Sequence, residues 1–166
     1  VVVMNPPFGL PSAASKGYLV DAYPDTWKDI YAAFIERSLD LLRNAGFLGA
    51  ITPSMWQYTR EMRALRKMLF DVGSPTLLVE LGGGVMDDAA VEAAVWTATK
   101  SNSVDELWSM DLLYERKEER ATLMLSKGEL WRQNKVEEFS RVADSPYCHH
   151  LPRNLLNLWK HPGRLS

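Results

Sequence analysis

Four consecutive residues, Asn5-Pro6-Pro7-Phe8, directly follow the apolar run Val1-Val2-Val3-Met4. At the carboxyl end of a strand, an amide, two prolines and an aromatic ring can activate an aromatic amine for attack on a sulfonium methyl group. The exocyclic amine of a nucleobase is a poor nucleophile because its lone pair is delocalised into the ring, and it must move toward tetrahedral geometry to react. The Asn5 side-chain oxygen and the Pro6 carbonyl can each accept one of its N–H bonds, in a geometry that the amine reaches only in the transition state. Neither acceptor needs a shifted pKa. Pro6 and Pro7 lack N–H groups and fix φ, and a residue before proline is held in the extended region, so both acceptors are rigid. Phe8 offers a face for a base to stack on, a contact worth ~1–3 kcal/mol. Asn5, Pro6 and Phe8 are therefore candidate catalytic residues, with Pro7 beside them against the substrate. The plain alternative is a proline-terminated strand entering a loop. With prolines at ~5% each, a chance match to all four residues in a chain this short is roughly one in a thousand.

The elements that must position these residues follow from spacing. Val1 to Met4 is apolar without alternation, the pattern of a parallel strand buried on both faces. Such a strand needs neighbours and covering helices before it, so the chain reads as a piece of a longer protein. Gly9 to Pro24 carries Gly, Pro and Ser and reads as a long functional loop. Thr26 with Asp29 resembles a capping box opening a helix, with Ile30, Tyr31, Phe34, Ile35 and Leu39 at helical spacing and Gly46 as its stop. Phe47 to Thr52 is a strand ending at Pro53, so a right-handed parallel crossover is the default. A second helix, Thr59 to Phe70, leads through Gly73-Ser74-Pro75 to a strand at Thr76 to Leu81. Gly82-Gly83-Gly84 and Asp87-Asp88 read as a turn, since a phosphate-binding loop needs a fingerprint spacing and a Lys-Ser/Thr tail that are absent. Val91 to Ala98 is close enough behind to pair antiparallel with Thr76 to Leu81. Leu107 to Tyr114 adds a strand and Glu115 to Lys127 a helix, and from Gly128 the pattern weakens.

Composition bounds the partners. The chain has 166 residues, 46% of them hydrophobic and 24% charged, which suits one domain or part of one. A net charge of −2 lacks the basic footprint of a self-sufficient nucleic-acid binder, so any such affinity is local or comes from elsewhere. Arg60, Arg63 and Lys67 share one helical face and can contact phosphates, although such a face is more often simply solvated. A single cysteine, Cys148, excludes an internal disulfide and fits a reducing compartment. Cys148-His149-His150 lacks the separated ligand pairs of a structural zinc site, so no metal is expected. No membrane-spanning run or signal-peptide pattern is present, and the expected location is cytoplasmic.

In order and content these motifs resemble the catalytic half of an adenine-specific DNA methyltransferase of the amino-methyltransferase kind. Asn5-Pro6-Pro7-Phe8 matches the family's catalytic motif. The helix with Tyr31, Ile35 and Leu39, then Gly46 to Trp56, resembles the next two family blocks, and Leu81 to Glu92 resembles the block that shapes the target-base pocket. More narrowly, Asn5 to Gly9 with Tyr23-Pro24-Asp25, and Ser145-Pro146-Tyr147 before Leu151-Pro152, are similar to the large bacterial methyltransferases of phage-exclusion (BREX) systems and of fused restriction-modification enzymes. His149-His150 departs from that subgroup's frequent aromatic pair.

The resemblance implies an α/β fold, the C-terminal half of a Rossmann-like S-adenosylmethionine-dependent sheet mixed with an antiparallel strand pair. It divides the chain into a catalytic half, 1–127, and a helical or irregular extension, 128–166, leading toward a target-recognition region. It implies methyl transfer to the 6-amino group of a flipped adenine, with Met86 standing where many relatives place an aromatic residue against the base. S-adenosylmethionine is the implied cofactor, most of its site lying upstream, and DNA the implied partner. The isolated chain is then expected to be inactive and to self-associate through an exposed strand edge. Methylation of RNA or of a protein glutamine, and a noncatalytic interaction module, are the alternatives.

Overall fold

The computed structural model describes residues 1–85, 91–101, 105–126, 128, 130–140, 142 and 144–151. Its centre is a six-stranded mixed sheet in the order β1 (Val2–Met4), β2 (Phe47–Pro53), β4 (Ala93–Thr99), β3 (Ser74–Gly82), β5 (Glu106–Asp111) and β6 (Arg132–Lys135). β1 and β2 are parallel, with Val2 opposite Leu48 and Met4 opposite Ala50. β4 lies between β2 and β3 and is antiparallel to both, so that Trp96 stands opposite Ala50 on one side and Leu78 on the other. β5 continues parallel to β3. Two reversals restore direction, so β1, β2, β3 and β5 all end on one rim, where β4 begins. The expected antiparallel pair is present, and the sheet is the expected α/β arrangement.

Alternation along the strands separates two cores. Leu78 and Trp96 face the layer formed by α2 (Ile30–Leu41) and α3 (Arg63–Asp71), where they pack with Tyr31, Ile35, Leu65 and Leu69. Val79, Leu81, Met110 and Leu112 face the opposite side, against Leu123 and Met124 of α4 (Lys117–Leu125). β6 and α5 (Val136–Ser140) lie in the stretch where the sequence pattern is weak. Asn134 is the one buried residue of β6, which explains why an apolar run does not mark it. Phe139 and Tyr147 nonetheless join the α2/α3 core.

Several expectations are corrected. Gly9 to Pro24 is not an irregular loop but contains α1 (Ala13–Ala22), capped by Ser12, whose hydroxyl accepts the Ser15 N–H at 3.2 Å. α1 buries none of its residues, so it has no apolar stripe for periodicity to find. β1, expected to lack its upstream neighbours, has an open edge among the described residues, with Val2 and Met4 packed on the core and Val3 82% exposed. The helix expected from Thr59 begins as a 3-10 turn, Arg60–Met62, and becomes α-helical only at Arg63. Asp29 rather than Thr26 precedes α2, and the Thr26 hydroxyl instead donates to Glu36. No helix among the described residues is long and apolar enough to cross a membrane.

Candidate active site

The rim at the strands' carboxyl ends gathers the chain's chemically capable groups, the usual position for a site in an open α/β sheet. Asn5 leaves β1 exposed, Pro6 is buried, Pro7 is exposed and Phe8 is half-buried. The Phe8 ring meets Tyr31 of α2 edge-on, with centroids 6.2 Å apart at 81°. Gly9 closes the segment at φ +113°, a conformation that favours glycine. Its N–H donates to Asp29 Oδ1 at 3.0 Å, and its carbonyl accepts the Ile30 N–H at 3.0 Å. The tetrapeptide is thereby strung between the end of β1 and the start of α2. Burial pushes the Asp29 carboxyl above the usual carboxylate range, against the Gly9 N–H, which favours the ion.

The exit of β2 lies on the same rim. Pro53 ends the strand and Ser54–Gln57 forms a 3-10 turn. Glu80, near the end of β3, is buried and accepts hydrogen bonds from the Ser54 hydroxyl and the Gln57 side-chain N–H. Burial pushes this carboxyl up as well, and Asp111 and Glu92 act in the same direction against the two donors. A cleft of about 410 Å³ opens here, with Ser54, Gln57, Tyr58, Glu80, Glu92 and Asp111 in its wall. Burial also pushes the Tyr31 hydroxyl well above the tyrosine range, and the charges of Asp29 and Tyr58 add to the effect.

Residues 1–85 match the model of the Eco57I restriction-modification methylase family. The chain belongs to that family. Among relatives of this Eco57I-family chain is the adenine-specific methyltransferase BrxX of Escherichia coli (strain HS), 22% identical over 156 residues, which cover 89% of the chain and 13% of BrxX. A type II methyltransferase of Thermus thermophilus is 31% identical over 121 residues, covering 65% of the chain and 28% of that enzyme. The solved type IIG restriction endonuclease BpuSI shares the fold over 99% of the chain and 22% of its own length, with a TM-score of 0.63 at 20% identity. The chain thus spans a minor part of each of these proteins.

The structure brings Asn5, Pro6, Pro7 and Phe8 together on the rim of this Eco57I-family fold, and it places the basic residues unequally. Arg60 is exposed two residues beyond Tyr58, at the rim. Arg63 and Lys67 follow on α3, which runs back toward the start of β3 at ~1.5 Å per residue. Arg63 pairs with Asp144 at 3.2 Å and Lys67 with Asp71, so both have carboxylate partners. Met86, like Asp87, Asp88, Lys127 and Pro152, lies outside the described residues. Cys148 is half-buried and burial pushes its thiol up, while His149 is buried beside it. Ser54, Gln57, Tyr58 and Glu80 carry no role in the sequence reading. The signal for Glu80 is a lone charge inside the run Leu77-Leu78-Val79-Glu80-Leu81.

Proposed function

We propose that this chain is the catalytic half of a DNA methyltransferase that acts on the 6-amino group of an adenine flipped out of the duplex, in restriction-modification or phage defence. The observation that carries the reading is the placement of Asn5-Pro6-Pro7-Phe8 on the carboxyl-end rim, with its amide exposed and its far end fixed by Gly9. The base stacks on Phe8. Asn5 Oδ1 and the Pro6 carbonyl each accept one amine N–H, which draws the nitrogen lone pair out of conjugation as the transition state forms. Both acceptors are uncharged, and the prolines remove the freedom that would otherwise be lost on binding. Pro7 lies against the same base, and the resemblance of the Leu81 to Glu92 block assigns Met86 to the substrate as well.

S-adenosylmethionine supplies the methyl group when bound. At the carboxyl end of β1, the exposed Asn5 and the buried Pro6 fit one wall of its site. The glycine-rich loop and ribose-facing acid that complete it are assigned to residues upstream. Residues 1–127 are then the catalytic half, and 128–166 lead toward target recognition. Arg60, Arg63 and Lys67 approach the DNA backbone, with Arg63 and Lys67 exchanging Asp144 and Asp71 for phosphate. Alone, this chain does not transfer methyl groups, and the open edge of β1 pairs its copies.

The test is direct. The intact polypeptide carrying this chain is incubated with tritiated S-adenosylmethionine and duplex DNA, and the DNA is hydrolysed and its nucleosides separated. Label is expected in N6-methyladenine. Label in cytosine, or only in added RNA or protein, would overturn the assignment.

A further inference from the structure

Residues 83–92 join β3 to β4 on the rim that carries the tetrapeptide, since the two strands pair until Gly82 stands opposite Ala93. The connection leaves β3 through Gly82-Gly83-Gly84. Gly82 and Gly84 both have a φ of +72°, which favours glycine, and a Cβ at Gly83 or Gly84 would meet nothing within 4 Å. Three glycines in succession are the least constrained of backbones, and they offer no side chain by which packing could fix them. The restraint comes from α4. Arg120 donates from Nη1 to the Gly83 carbonyl at 3.1 Å and from Nε to the Glu115 carbonyl at 3.0 Å. A Cβ at Gly82 would lie 3.6 Å from its Nη2, so the guanidinium runs along the glycines. The Glu115 end is itself tied to β3: the Glu115 N–H donates to the Leu112 carbonyl at 3.1 Å, and the Leu112 N–H donates to the Glu80 carbonyl at 2.9 Å. At the far root of the connection the Glu92 carbonyl accepts the Ser54 N–H at 2.9 Å. A planar fork of fixed donors suits a bridge between two carbonyls, which the point charge of a lysine does not reproduce.

We propose that Arg120 is a positioning residue for methyl transfer: it holds the root of the β3–β4 connection in the arrangement that receives the duplex, and touches neither base nor cofactor. The inference rests on the function proposed above, in which the block from Leu81 to Glu92 belongs to the substrate, and adds to it a residue outside that block that keeps it in place. A glycine root released from Arg120 must be ordered again each time DNA binds. The loss therefore falls on binding of the duplex and not on the chemical step.

Arg120→Met in the intact polypeptide tests this, because it removes the fork and keeps the apolar stem. KM for a target duplex is expected to rise about tenfold, as ordering roughly one residue of backbone implies, with kcat and KM for S-adenosylmethionine within about twofold of wild type. Amide hydrogen exchange is expected to speed up in the peptide spanning residues 82–85 while the strands keep their protection. Arg120→Lys, which keeps the charge and loses the fork, should resemble Arg120→Met in both measurements. Wild-type KM in Arg120→Lys, or a raised KM in Arg120→Met with wild-type exchange at 82–85, would make Arg120 a phosphate contact and overturn the positioning role. Wild-type KM in Arg120→Met would overturn it outright. A fall in Tm as large as that of a core truncation would reduce Arg120 to a support of the fold. Exchange and Tm are read without a methyl acceptor, so failure here is distinguishable from failure of the proposed function, which a wild-type protein that labels no adenine contradicts before any variant is made.

Discussion

Two parallel strands, β1 and β2, leave the sheet on the same rim and are held there by opposite means. β1 exits through its own covalent stiffness: Pro6 and Pro7 restrict the backbone, and two hydrogen bonds at Gly9 anchor the far end. β2 also exits through a proline, Pro53, but its turn is fixed by side chains from elsewhere, namely Glu80 on β3 and Arg66 on α3. The contrast lies in where the holding groups come from: consecutive residues fix the first exit, and residues of β3 and α3 fix the second. The first arrangement leaves its polar groups free for a ligand, whereas the second uses its polar groups on itself.

The largest expected effect breaks the first exit. In the intact polypeptide, Asn5→Ala is expected to lower kcat for methyl transfer by about 10²–10³, the usual loss of one transition-state hydrogen-bonding partner, with DNA affinity and Tm little changed. Tritium transfer and gel shift separate the two, and a parallel loss of binding would make Asn5 a docking residue instead. The second exit responds in stability rather than turnover. Arg66→Met strands the carbonyls of Trp56, Thr59 and Asp144, each of which accepts from the buried guanidinium at 2.7 to 3.1 Å. Denaturant unfolding should show a loss of about 3 kcal/mol or more. An unchanged midpoint would mean that water replaces the guanidinium and that the turn is not held as described.

The smallest effect sharpens the contrast through pH. Tyr147 braces Gln57, and two residues on His149 is buried, with Nδ1 3.2 Å from the Tyr147 carbonyl. Burial, with a smaller contribution from His150, pushes its pKa down to about 4. The unfolded chain takes up this proton near pH 6.5 and the folded chain only near pH 4, so the unfolded state binds more protons in between. Stability from this group is complete above about pH 6.5 and falls toward pH 4, by roughly 3 kcal/mol at most. Glu80 and Asp29, whose pKa values are raised, act in the opposite sense, gaining stability as the pH falls into the carboxylate range. The informative quantity is therefore the difference from His149→Gln, which should lose less stability than the wild type on acidification. Identical pH profiles would disconnect His149 from the brace.

The first exit is legible in the sequence because its determinants are adjacent: Asn5 to Phe8 state the stiffness, and the chemistry proposed for them, in consecutive residues. The pairing of β3 with β4 is legible from two apolar runs close together. The second exit is not, since Ser54 and Gln57 precede Glu80 by 26 and 23 residues and meet it only after β4 has entered the sheet between their strands. β1 and its parallel pairing with β2 are legible from the apolar run Val1 to Met4 that leads into the tetrapeptide. α1 is illegible for the converse reason: a helix that buries none of its residues carries no apolar stripe.

That free-standing helix has a consequence for how this family can vary. The segment containing α1 is closed at its base, by Gly9 against Asp29 and Ile30 on one side and by Thr26 against Glu36 on the other. Because α1 buries nothing, its length and sequence enter the folding equilibrium mainly through the entropy of a closed loop, which grows by only ~0.6 kcal/mol per doubling. The stretch between the two posts is thus a cassette beside the tetrapeptide. Lengthening, shortening or recoding it is expected to leave the backbone of Asn5 to Phe8 in place.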